Sequence, residues 1–271
     1  MSEVPATGFA YLDAVLGPPR SVLALAHRGG AEHPELVGLE NTAHAFRHAY
    51  ALGYRYFETD VHLTRDGVLV AFHDVVLDRV ADTSGAVAQL TTDELSRVLV
   101  GGSHGVPVLA DLLTEFGDCR FNIDLKAAGT AEALADLLAR TGTEDRVLVG
   151  SFSRRELRRF RKHSGGRVAT SADPLEVGLF LLSPSGRLAR RLTGGKVSAL
   201  QVPVRRGRIR IVSASLVRRA HAAGAQVHAW TIDDPAAMAD LLDLGVDGIF
   251  TDRTDILKDV LVDRGLWREY A

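Results

Sequence analysis

Eight short apolar or β-branched runs recur along the chain, and between them lie segments with the spacing and caps of amphipathic helices. The runs are "SVLALAHR" (21–28), "YRYFETD" (54–60), "RFNIDLK" (120–126), "RVLVGSF" (146–152), "RVATS" (167–171), "SALQVPV" (198–204), "QVHAWTI" (226–232) and "DGIFTD" (247–252). Strand then helix, repeated, builds a parallel sheet covered by its own crossover helices. Eight repeats in 271 residues fit one (β/α)8 TIM-type barrel, an α/β fold that typically needs about 250 residues. A doubly wound open sheet is the alternative. The intervening stretches carry start and stop signals. "NTAHAFRHAYALG" opens at Asn41 or Thr42 and stops at Gly53, and "TAEALADLLARTG" puts Leu134, Leu137 and Leu138 on one face before Gly142. "SRRELRRF" opens with a capping box, Ser153 and Glu156, and "DPAAMADLLDLG" has Asp234 as N-cap, Pro235 at the first helical position and Gly245 as terminator. The whole chain, 1–271, reads as a single domain, with 1–20 as an N-terminal extension.

The segment "ETDVHLTRDGVLVAFHD" (58–74) does not fit the alternation, because "GVLVAFHD" would be an extra strand with no helix before it. An Asp-Gly pair, Asp66-Gly67, between two apolar-alternating runs signals a β-hairpin. Barrel strand two is therefore expected over 54–60. Residues 61–74 should form an antiparallel arm that rises from its top and returns His73 to the height of Asp60.

Alternation along strands then sorts the polar residues. Glu58 and Asp60 are two apart and share a side, which at the carboxyl end of a barrel strand is the mouth, where chemistry sits in this fold. Two carboxylates there repel each other unless a cation lies between them, and oxygen ligands suit Mg2+ or Ca2+; an exposed acidic edge without a role is the plain alternative. In "FNIDLK", Asn122, Asp124 and Lys126 share a face at the end of strand three. Asp124 could complete a three-carboxylate metal site, and Lys126 could pair with the carboxylates, hold an anion, or form a structural salt bridge. Strand one ends in "AHRGG", bringing His27 and Arg28 to the same rim, with a guanidinium fork suited to phosphate and glycines that let backbone N–H groups approach an anion. His27 and His73, from different elements, could serve as general acid and general base.

Taken together, "AHRGG" (26–30), "ENT" (40–42), "ETDVHLTRDGVLVAFHD", "NIDLK", "GSF" (150–152), "HAWTID" (228–233) and "GVDGIFTD" (245–252) resemble the glycerophosphodiester phosphodiesterase family over nearly the whole chain. The resemblance implies a TIM-type barrel that uses a divalent cation to hydrolyse glycerophosphodiesters to sn-glycerol 3-phosphate and an alcohol. It implies His27 and His73 as the acid/base pair, Glu58, Asp60 and Asp124 as metal ligands, and Arg28 and Lys126 at the phosphate. Trp230 is similar to the family's tryptophan and is expected as an apolar wall for the glycerol carbons, with Phe152 reading the same way. Glu40, Asn41 and Asp74 are expected to support the site rather than to ligate. Two positions depart from the family pattern: Asp124 stands where Glu is common, and "AEHPELVGLENT" enlarges the loop that usually closes on "PENT".

Composition excludes several other classes. With 32 basic and 34 acidic residues, no global charge favours nucleic acid, and "SRRELRRFRKH" is interrupted at helical spacing by Leu157 and Phe160, as a solvated helix face would be. The single cysteine, Cys119, rules out a disulfide framework and reads as core filler. The N-terminus lacks a basic n-region, and no uncharged apolar stretch reaches the roughly 18 residues of a membrane span, so a cytoplasmic enzyme is expected. A lysophospholipase D-like enzyme is the alternative and would need an apolar ridge or amphipathic helix at the mouth. A catalytically silent phosphate-binding barrel would be expected to lack a histidine or a carboxylate, and none is missing.

Overall fold

A computed structural model describes residues 6–16 and 21–270. Eight parallel strands follow one another around a barrel: β1 (Leu23–Ala26), β2 (Tyr56–Leu63), β3 (Arg120–Leu125), β4 (Val147–Gly150), β5 (Ala169–Thr170), β6 (Ala199–Pro203), β7 (Gln226–Trp230) and β8 (Gly248–Thr251). β1 pairs with both β2 and β8, and a bridge from Ser171 to Ala199 links β5 to β6 and closes the ring. Seven of the eight apolar runs contain one of these strands, and the run 54–60 contains the first five residues of β2.

The expected caps hold. Thr42 accepts from the Ala45 amide to open Ala43–Ala51, Asp234 accepts from Ala237 to open Pro235–Leu244, and Gly142 and Gly245 end their helices in the left-handed region. Ser153 caps Arg154–His163, but only half of the expected capping box forms. Glu156 instead accepts from the Gly129 amide and pairs with Arg159, so a packing partner displaces the local contact.

Strand two differs from expectation. It runs to Leu63 rather than ending at residue 60, because its last three residues keep pairing: Val61, His62 and Leu63 oppose Ala71, Val70 and Leu69 of the antiparallel arm. The arm belongs to a larger insertion that sequence reasoning did not anticipate. Between the hairpin and the next barrel helix, Leu109–Glu115, the chain builds a small core of its own from Val70, Phe72, Leu77, Val87, Leu95 and Val98. Asp66, in the hairpin turn, accepts from the Thr92 amide and ties the arm to this insertion.

The barrel interior is apolar at the bottom and polar at the top. The short helix Ala10–Asp13 closes the floor: Tyr11 and Leu12 are buried against Leu23, Leu25, Tyr56, Leu148 and Phe250, and the Tyr56 hydroxyl donates to the Tyr11 carbonyl at 2.8 Å. Fully burying one such leucine contributes about 1.5–3 kcal/mol, so this part of the expected extension is a structural plug. The rest of 1–20 lies partly outside the described residues. Above the floor, buried Asn122 and His228 and half-buried Gln201 form a polar layer, with Gln201 Nε2 2.6 Å from Asn122 Oδ1 and 3.3 Å from His228 Nδ1. Among the described residues no helix is long and apolar enough to cross a membrane.

Candidate active site

Parallel pairing of β2 with β3 sets Glu58 opposite Asn122 and Asp60 opposite Asp124. The three carboxylates are therefore gathered at the carboxyl ends of neighbouring strands, and all three line a cavity of about 710 Å3 together with His27, Arg28, His73, Asn122, Lys126 and Trp230.

Cations hold the carboxylates. Lys126 Nζ lies 2.9 Å from Asp60 Oδ1 and 2.6 Å from Asp124 Oδ2. Arg28 Nε lies 3.3 Å from Asp60 Oδ2, its NH1 donates to Glu40 at 3.1 Å, and its backbone N–H donates to Glu58 Oε2 at 3.1 Å. Asn41 donates from Nδ2 to Asp60 and accepts from the Thr59 hydroxyl, so it supports Asp60 while Thr42 caps the helix. Burial works to raise the Asp60 pKa, but Lys126 and Arg28 outweigh it and hold it low. Burial and the neighbouring Asp60 charge push Glu58 up, and burial pushes Asp124 up. Burial opposes the Lys126 charge, yet Asp60 and Asp124 raise its pKa.

The backbone that delivers these groups is itself constrained. Arg28 has φ 50 and Gly29 and Gly30 have φ 87 and 96. A Cβ on Gly29 would stand 2.7 Å from Ala45 Cβ, and one on Gly30 2.8 Å from Thr254 Cγ2. "HRGG" is thus the sequence of a turn that only glycine can complete between the next helix, at Ala45, and the last one, at Thr254.

Each cavity histidine has an aspartate on Nδ1. His27 Nδ1 is 2.8 Å from Asp252 Oδ1, and His73 Nδ1 is 2.7 Å from Asp74 Oδ1. An imidazole that gives Nδ1–H to a carboxylate keeps Nε2 for chemistry. His27 Nε2 lies 3.7 Å from Glu58 Oε2. Burial lowers the His27 pKa, but Glu58 and Asp252 overcome this and raise it to about 9.

Three residues that support the site, Asp252, Asp233 and Arg79, were not singled out from sequence. Asp252 follows β8, and the β1–β8 register, which pairs Ala26 with Thr251, sets it beside His27. Asp233 fixes that turn by accepting from the Thr251 hydroxyl and from the amides of Asp252 and Arg253. Arg79, in the insertion, bridges Asp74 at 2.6 Å and Glu40 at 2.7 Å, connecting the His73 support to the loop that holds Arg28. The family-like "GVDGIFTD" included Asp252; nothing in the sequence marked Arg79.

The other side of the cavity is apolar. Phe152 and Trp230 meet edge-to-face with centroids 5.9 Å apart, and Val177, Leu181 and Ile209 continue the wall. An apolar ridge is present on the helix Pro174–Leu182; the hairpin over 205–210 adds Ile209 to it but is otherwise rich in arginine, and Arg206 also lines the cavity.

The glycerophosphoryl diester phosphodiesterase family model matches residues 27–256, from the first site histidine to beyond Asp252. The chain belongs to this family. A Mycobacterium tuberculosis relative named probable glycerophosphodiester phosphodiesterase 2 is 42% identical over 90% of this chain and 92% of its own length. A glycerophosphodiester phosphodiesterase of Caldanaerobacter subterraneus is 29% identical over 88% of this chain and 97% of its own. An Oleispira antarctica phosphodiesterase solved in complex with the product sn-glycerol-3-phosphate has the same fold, with a TM-score of 0.71 at 23% identity over 88% of this chain and 96% of its own. The family's barrel is thus the frame in which the carboxylates and histidines meet.

The donor set suits a hard divalent cation: three carboxylates, two of them with pKa values raised by burial and by the Asp60 charge although His27, Arg28, His73 and Lys126 partly offset it. Among the described residues, no three acidic or imidazole side chains are already drawn into a coordination shell. Lys126 sits between Asp60 and Asp124, so those oxygens reach a cation only as Lys126 gives way.

Proposed function

We propose that this family member hydrolyses glycerophosphodiesters to sn-glycerol 3-phosphate and an alcohol, with His27 and His73 as its acid/base pair. The observation that carries the reading is the pair of cavity histidines, each anchored through Nδ1 by an aspartate on the rim that bears three carboxylates and two cations. A divalent cation, Mg2+ or Ca2+, held by Glu58, Asp60 and Asp124 would supply charge stabilisation at the non-bridging phosphate oxygens.

The chain's own residues divide the remaining work. Arg28 and Lys126 place positive charge at the phosphate, where it opposes the negative charge that grows during attack. His27, with its pKa raised to about 9, is protonated at neutral pH and gives its Nε2 proton to the leaving alcohol oxygen. His73, held by Asp74, takes a proton from the attacking water as the bond from phosphorus to the alcohol oxygen breaks. Asp252 and Asp74 keep both rings turned with Nε2 toward substrate, and Arg79 fixes Asp74. Trp230 packs against the glycerol carbons. Incubation with glycerophosphocholine, with sn-glycerol 3-phosphate measured directly, tests the reading; the product forms in the wild type and not in His27→Ala.

A further inference from the structure

The groups assigned to chemistry come from β1, β2, the arm, β3 and the turn after β8. The facing wall comes from the loops after β4, β5 and β6 and is built differently. Its main piece is the helix Pro174–Leu182, "PLEVGLFLL", whose one charged residue, Glu176, is committed to the cap at Asp173 and to Arg161 at 2.6 Å. Every other position is apolar or glycine. Phe180 is buried in the main core, Val177, Gly178 and Leu181 line the cavity, and Leu182 is 87% exposed. A helix apolar all round is expected in apolar surroundings. Here one side has only the cavity. Glycine within a helix weakens it relative to alanine, yet a Cβ built on Gly178 meets nothing within 4 Å. The missing side chain leaves open space, a trough in the cavity that Leu181 and Ile209 also line.

We propose that this trough receives an aliphatic chain carried by the alcohol half of the substrate, so that the enzyme favours glycerophosphodiesters of hydrocarbon-bearing alcohols over those of small polar ones. The inference rests on the hydrolytic reading above. Glycerol hydroxyls require polar partners, and these lie on the carboxylate side with Asn122 and Gln201. With Trp230 against the glycerol carbons, the alcohol half then faces the rest of the apolar wall, Val177, Leu181 and Ile209. A cavity of about 710 Å3 falls in the range of roughly 300–1,000 Å3 that encloses drug-sized ligands. A small head group has no use for such a wall.

The test is a series of sn-glycerol 3-phosphate n-alkyl diesters, methyl to octyl, assayed below their micelle concentrations. KM is expected to fall about fourfold per methylene buried, the equivalent of ~0.8 kcal/mol, with kcat nearly constant. Gly178→Leu, at a position where a Cβ meets nothing within 4 Å, and Ile209→Asn, at a 66% exposed position, should each lower the octyl-to-methyl ratio of kcat/KM at least tenfold. Equal kcat/KM for octyl and methyl esters, or a ratio preserved in both variants, overturns the proposal. Should no diester be hydrolysed, glycerophosphocholine included, the catalytic reading fails instead. Calorimetric binding of n-octyl against methyl phosphate then still decides: octyl binding at least tenfold tighter and lost in Gly178→Leu supports the trough, and equal binding contradicts it.

Discussion

His27 Nδ1 and Asp252 Oδ1 stand 2.8 Å apart across 225 residues of sequence, joined because β1 and β8 are neighbours in the closed barrel. The contact fixes the ring and helps raise its pKa. Asp252→Asn keeps the shape but removes the charge, so the His27 pKa falls. If His27 is the proton donor, the alkaline limb of the kcat/KM profile moves to lower pH, and kcat drops about 10²-fold, the lower end for a positioned acid–base group. A pH–rate profile checks both; an unshifted alkaline limb would separate Asp252 from the catalytic proton.

Divalent binding is expected to show as stability as well as activity. Mg2+ or Ca2+ at about 100 times Kd should stabilise the fold by roughly 2.7 kcal/mol, and Glu58→Gln or Asp60→Asn should abolish the gain. Asp124→Glu, which lengthens the arm by one methylene, should change the ranking of Mg2+, Ca2+ and Mn2+. Thermal melts with each metal read wild type and the three variants, and identical rankings in wild type and Asp124→Glu would remove Asp124 from the metal site.

Arg79 is 48% exposed at its side chain, yet it ties Asp74 to Glu40. Arg79→Met should cost little stability, since partly exposed ion pairs contribute at most about 1 kcal/mol. It should lower kcat about tenfold by loosening the Asp74 hold on His73, with KM changing less. A wild-type kcat in a folded Arg79→Met protein would show that Asp74 needs no help.

His228 is fully buried, and burial lowers its pKa to about 4. It sits between Gln226 Oε1, which requires Nε2–H, and Gln201 Nε2, which requires a bare Nδ1. The unfolded chain takes up this proton near pH 6.5 and the folded chain only near 4. The His228 contribution to stability is therefore complete above about pH 6.5 and is lost as pH falls toward 4, a change of about 3 kcal/mol at ~1.4 kcal/mol per pH unit. Denaturant melts of wild type and His228→Gln should converge over that window. A constant difference between them would contradict a neutral buried imidazole.

Much of this was legible in the sequence because strand and helix periodicities differ. Seven of the eight apolar runs enclosed a barrel strand and the other held the first five residues of β2, and the i, i+2 spacing of Glu58 with Asp60 and of Asn122 with Asp124 put them on one side. Thr42, Asp234, Gly142 and Gly245 marked helix ends because their chemistry is local. What escaped was nonlocal or aperiodic. The insertion core is stitched from strands of two or three residues, too short to show a period. "PLEVGLFLL" has no polar stripe to announce a helix. Asp252 and Arg79 gain their roles only from the partners that the closed barrel and the folded insertion bring to them.

The most direct test of the central claim is sn-glycerol 3-phosphate release from glycerophosphocholine by purified wild type, chelator-treated wild type and folded His27→Ala, with metals restored one at a time. The account predicts release by wild type, its loss on chelation and recovery with a divalent cation, and a drop of 10²-fold or more in His27→Ala. Release that survives chelation and is undiminished in His27→Ala would contradict it.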